Sequence, residues 1–208
     1  SPRCFSSRYS TAWNPSHVSS RATHGEYVDP LDLVWLSVAE ALDFRIHRSD
    51  EAYASFDGVG QLTICTENEF DTDDSLAQMI LHEICHALVG GRKALTTRDW
   101  GLTGDKGDDL LHEYATHRLQ AAFCDQFGLR DFFAVTTQWR PHFDALEADP
   151  LCGDDPSVFM AKQGLENARA WNWEEPILQG LQATAAIAAI VRPFAPSSSL
   201  WGTSKALH

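Results

Sequence analysis

The 208-residue sequence predicts an α+β domain, mainly helical, with a small twisted sheet beside one central helix. Three observations carry this. Long segments repeat apolar residues every three to four positions, the mark of helices with a buried face. Three short runs between residues 44 and 66 have strand character and are bounded by turn residues. The stretch Ile80, Leu81, Ile84, Cys85, Ala87, Leu88, Val89 is apolar nearly all round, as in a helix buried on every side.

Residues 1–28 are rich in Ser, Thr and Arg and read as an irregular arm; the domain spans 29–195. Its first helix opens at Asp29-Pro30, a capping carboxylate followed by proline at the first helical position. Leu31, Val34, Trp35, Val38 and Leu42 form its apolar face. Strand signals follow at 44–47, 53–56 and 61–66, with Asp57-Gly58-Val59-Gly60 as the turn between the last two. Asp71, Asp73 and Asp74 then precede a helix from Leu76, where carboxylates complement the positive end of the helix dipole. Gly90-Gly91 is its stop signal. A loop over 91–107 leads to a second long helix from Asp108 or Asp109 to about Phe127. Further helices are expected over 130–146, 156–170 and 174–192, punctuated by Pro150, Pro156 and Pro193, and an irregular tail over 196–208.

Charge narrows the function. Sixteen basic against 29 acidic residues give a net charge of −13, which disfavours nucleic acid and anionic membrane surfaces, both bound through Lys and Arg. No apolar run approaches the ~20 residues of a membrane span; the Ala-rich stretch Leu181–Val191 reads as a buried helix. The five cysteines, at 4, 65, 85, 124 and 152, are an odd number without a Cys-x-x-Cys pair. Scattered, largely core-placed thiols point to a reducing compartment, the cytoplasm, unless a secretory signal was removed beforehand.

The chemistry concentrates in His82-Glu83-Ile84-Cys85-His86. Two histidines four apart lie on one side of a helix and can hold one zinc ion, while the intervening Glu83 can serve as general base toward a zinc-activated water. The bland alternative is a pair of hydrogen-bonded core histidines. Three ionisable groups on so apolar a helix favour the metal, because burying them unpaired is costly.

The motif and its setting resemble the zincin metallopeptidases, over the first helix through about residue 125. The resemblance implies a zincin-like fold, hydrolysis of peptide bonds, and a strand before the active helix that pairs with extended substrate; Gln61–Thr66 stands in the matching place. The metzincin branch does not fit, since Arg92 stands where its third histidine would be. His112-Glu113-Tyr114-Ala115-Thr116-His117 is similar to the gluzincin pattern, which implies Glu113 as third zinc ligand and His117 as its supporting neighbour. The pattern departs from that family, with His112 before the Glu and His117 four after it in place of Asn and Asp. Helix phase sets Glu113 and His117 about 40° apart and turns His112 aside. His117 and His112 stand behind Glu113 as alternative ligands.

The resemblance also suggests His142 as a catalytic hydrogen-bond donor to the developing oxyanion. Weaker candidates are Cys65 as a metal ligand, Cys4 as an inhibitory thiolate, and the acidic loop 103–109, whose spacing does not fit a calcium loop. Arg118 lies in an apolar arc and is expected to pair with a buried carboxylate. The expectation is a zinc metallopeptidase with one Zn2+ on His82, His86 and Glu113, Glu83 as base, and a peptide or protein substrate favoured when cationic. A zinc amidase on a non-peptide substrate and a non-catalytic zinc module are the alternatives.

Overall fold

The computed structural model describes residues 24–103 and 107–202. The arm up to residue 23, with Cys4, and residues 203–208 lie outside the described residues. The class is α+β and mostly helical: the described residues form six α-helices and one three-stranded sheet.

Helix α1 spans Pro30–Ala41, with the Asp29 carboxylate accepting from the Leu31 N–H as its cap. Strands β1 (Arg45–Arg48), β2 (Ala54–Phe56) and β3 (Gln61–Ile64) follow. Helix α2 (Leu76–Ala94) is capped by Ser75, not by the acidic cluster before it, and Gly91 (φ 72°, ψ −170°) breaks it where the glycine pair predicts. A short 3-10 turn, Arg98–Gly101, precedes α3 (Asp108–Asp125); α4 (Arg140–Asp144), α5 (Pro156–Ala170) and α6 (Glu174–Val191) complete the chain.

Every residue of α2 from Leu76 to Val89 is buried. The helix sits in the middle of the domain, packed by α1, α3 and α5, with α6 laid against α1. At the α1–α6 contact the Trp35 indole N–H donates to Thr184 Oγ1 at 3.0 Å, which satisfies the one polar atom of a fully buried ring.

Three expectations need correction. Strand β3 is not an edge: it pairs in parallel with β1 and antiparallel with β2, in the order β1-β3-β2. Alternation tells which face is buried, here Leu62 and Ile64, and is silent about which edge is paired. The outer strands are β1 and β2, and β2 is the one that lies beside Glu83 and His86. The bonds Cys65 N–H to Tyr53 O and Asp57 N–H to Gln61 O turn the backbones of Ala54 and Phe56 away from β3.

The expected helix over 130–146 is mostly absent; a 3-10 turn at Thr137–Trp139 and the five residues of α4 replace it. Phe132, Phe133, Ala134 and Val135 are instead buried as irregular chain. Two of their carbonyls find side-chain donors: Gln120 Nε2 serves Phe133 O and Arg140 Nε serves Val135 O.

The third correction concerns the apolar end. Glu174–Phe194, 21 residues, is long and apolar enough to cross a membrane by length and composition, with 28% of its apolar window buried. Only one face of α6 is covered, through Ile177, Gly180, Leu181, Thr184 and Ala188, while Ile190 and Phe194 are exposed.

Candidate metal centre

Helix α2 carries His82 and His86 one turn apart, and the start of α3 lies across from them. All three of His82, His86 and Glu113 are buried, and one ligand atom from each lies within 4.8 Å of the others. The Glu113 carboxylate faces both imidazoles, with Oε1 3.3 Å from His82 Nε2 and Oε2 3.3 Å from His86 Nε2. The two Nε2 atoms are themselves 3.0 Å apart. Two ring nitrogens meet so closely only with a proton or a cation to share. These three groups are close enough to bind a metal ion.

The protonation pattern follows from the surroundings. Burial disfavours charge on His82, but the hydrogen bond and charge of Glu113, backed by Glu83 and Gln120, outweigh it and push its pKa up to about 9. Burial holds His86 well below the usual histidine range, with the Glu113 charge opposing and the neighbouring imidazoles assisting. Burial also resists ionisation of Glu113, yet the imidazoles of His86, His117 and His82 keep it well below the ordinary carboxylate range. In the metal-free centre these effects favour charge on Glu113 and His82 and disfavour it on His86.

Glu113, Thr116, His117 and Gln120 form one polar stripe on α3 at spacings of three, four and seven residues. Each touches the centre. His117 Nε2 lies 3.0 Å from Glu113 Oε1, within hydrogen-bond distance of the carboxylate. The Nδ1 of His82 meets Gln120 Oε1 at 2.8 Å. Gln120 spends its amide N–H on Phe133 O, so its oxygen faces His82, and His82 must carry its proton on Nδ1. When neutral, His82 thus presents the Nε2 lone pair to the Glu113 side. Thr116 Oγ1 lies 3.3 Å from Nδ1 of His86. Gln120 and Thr116 carry no motif of their own; their helical spacing from Glu113 is the one sequence signal that marks them.

The remaining candidates divide. His112 stacks on His86, ring centroids 5.3 Å apart, and is not one of the three clustered donors. Its Nε2 is buried without a hydrogen-bond partner. His142 meets the Nδ1 of His117 at 2.9 Å, on the opposite side of that ring from Glu113, and lies flat on Tyr114. It does not line the cleft beside Glu83. Cys65 is buried away from the cluster and Cys4 lies outside the described residues. Of the loop 103–109, residues 104–106 also lie outside them, and Thr103 is tied to Asp109 Oδ2. Arg118 pairs with Glu147, an exposed rather than buried carboxylate, and is completed by Ser157 and the Pro150 carbonyl.

No family model, curated protein or solved structure matches the chain. The reading of the centre therefore rests on its own geometry.

Glu83 is buried beside this cluster, and its Oε2 accepts from the indole N–H of Trp100 at 2.7 Å. Burial raises its pKa, opposed by the charge of His82 and the Trp100 hydrogen bond. With His86 it lines a cavity of about 360 Å³ whose other walls are β2 (Ala54, Ser55, Phe56) and Asp99, Trp100, Leu102 and Thr103. A candidate general base, a candidate metal ligand and β2, one of the two outer strands, thus share one cleft.

Proposed function

We propose that the protein is a zinc-dependent hydrolase of peptide bonds with a zincin-like arrangement, in which His82, His86 and Glu113 hold the metal. The observation that supports this best is the cleft that Glu83 and His86 share with the outer strand β2. Bound there, zinc would supply a Lewis acid that polarises a carbonyl and lowers the pKa of water.

The chain's own residues do the rest. Glu83 takes a proton from the attacking water and returns it to the leaving amine. Ala54, on the outward side of β2, offers backbone groups to an extended peptide, in the role expected of residues 61–66 before the sheet order moved it one strand outward. His117 and Gln120 hold Glu113 and His82 in place. The described residues cluster three donors, not the four that close a structural zinc site, which favours catalysis over a zinc-stapled module. The charge of −13 suits a cationic peptide.

The test is metal analysis joined to cleavage of a mixed peptide library. Near one zinc per chain is expected, with cleavage by wild type and a loss of about 10²-fold or more in Glu83→Gln, which retains the metal. Two imidazoles and a carboxylate also suit iron(II). A protein that holds iron and cleaves nothing with zinc would overturn the hydrolytic reading.

A further inference from the structure

We propose that Trp100 is the positioning residue of the general base. This rests on the reading of Glu83 as that base. The indole N–H holds Oε2 of Glu83 at 2.7 Å, with both side chains buried. A hydrogen bond to a carboxylate at that distance is charge-assisted and directional. The indole N–H is a donor only, so it fixes the carboxylate without competing for the proton that Glu83 must accept. It engages one oxygen and leaves Oε1 for the water.

The placement of Trp100 is itself held from two sides. Its ring stacks on Phe56 of β2, centroids 4.0 Å apart and planes 6° from parallel, and Phe44 packs edge-on at 5.9 Å. The backbone is more telling. Asp99 (φ 47°, ψ 38°) and Trp100 (φ 60°, ψ 8°) are two consecutive residues in the left-handed region, where a Cβ is disfavoured. What retains that conformation is the Asp99 carboxylate, whose Oδ1 accepts from the Ser55 hydroxyl at 2.7 Å and from the Phe56 N–H at 3.0 Å. A strained turn is thus anchored on the outer strand by one residue and on the base by the next. Glu83 and the strand that walls its cleft are set relative to one another through this turn, and unstrained backbone there would carry the indole off the carboxylate.

The experiment compares metal-loaded wild type, Trp100→Phe, Asp99→Ala and Glu83→Gln. Phenylalanine keeps the stack on Phe56 and removes only the N–H. Trp100→Phe is expected to keep its metal and KM and to lose about 10- to 100-fold in kcat. Asp99→Ala keeps the indole but frees the turn, and a smaller kcat loss is expected, again at unchanged metal content. A readout independent of turnover is the indole 1H–15N resonance of Trp100, assigned by its absence in Trp100→Phe. It should shift upfield in Glu83→Gln, because a neutral amide is a weaker acceptor than a carboxylate. Wild-type kcat in both Trp100→Phe and Asp99→Ala, or an indole resonance indifferent to Glu83→Gln, overturns the proposal. A wild type that cleaves no peptide while this resonance still responds to Glu83→Gln would overturn the hydrolytic reading and leave the positioning contact standing.

Discussion

His82 and Gln120 meet across α2 and α3, and the 2.8 Å contact between Nδ1 and Oε1 sets which nitrogen of His82 can face a metal. The Phe133 carbonyl completes the relationship by taking the amide N–H, so the amide cannot turn over without losing both bonds. Gln120→Leu, close in volume, removes the acceptor and frees both the tautomer and the ring rotation. We expect metal affinity to fall about 10- to 100-fold, with the fold retained. Competition with a chromophoric chelator measures it. Gln120→Glu restores the acceptor for His82 but sets an acceptor against the Phe133 carbonyl, so it should recover only part of the loss; equal metal retention in wild type and Gln120→Leu would show that this contact sets nothing.

Glu113 is the only carboxylate in the three-donor cluster. Glu113→Ala should lose the metal to chelator first, His117→Ala next, since its ring only steadies the Glu113 carboxylate, and His112→Ala least. The order is read from metal remaining after a fixed chelator challenge. Retention by Glu113→Ala equal to wild type would remove it from the ligand set.

How far the sequence reaches is visible in these residues. The His82/Glu83/His86 motif, Glu113 and His117 were legible because helical periodicity turns spacing into direction. The starts of α1 and α5 were legible from Asp29-Pro30 and Pro156, and the end of α6 from Pro193. Two kinds of information were not. Sheet order depends on which strand docks where, so the central place of β3 is absent from its own four residues. Trp100 reaches Glu83 through two left-handed residues, Asp99 and Trp100, neither of them the glycine that usually marks such a bend. The buried run Phe132–Val135 misleads for a related reason: its apolar residues suit a helix, and only the partners Gln120 and Arg140, from elsewhere in the fold, let it stay irregular.

Burial, aided by the neighbouring His117 imidazole and the Arg118 guanidinium, pushes the pKa of His142 down to about 4, from an ordinary 6.5. A histidine depressed in the folded state favours the neutral ring, so its contribution is complete above pH 6.5. It is lost as pH falls from there toward 4, because the unfolded chain takes up the proton first. His142→Gln removes this titration. In urea unfolding of the metal-free protein, wild type should lose more stability between pH 7.5 and pH 5 than His142→Gln loses. A variant as acid-sensitive as wild type would place the acid sensitivity elsewhere.

The α1–α6 contact offers a test in which two effects oppose. Gly180 lies inside α6, where alanine would favour the helix by about 1 kcal/mol. A Cβ there would meet Val38 Cγ2 at 2.7 Å, with the Trp35 ring at 3.5 Å behind it. Neither neighbour yields easily: a β-branched side chain in a helix has essentially one rotamer, and Trp35 is fully buried and tied to Thr184. Overpacking of this kind costs about 1–3 kcal/mol, so Gly180→Ala should be net destabilising, by about 1 kcal/mol. Thermal unfolding should show a Tm lowered by a few degrees. The sign carries the information. Were α6 not seated on α1, only the helix preference would remain and the same substitution would raise Tm.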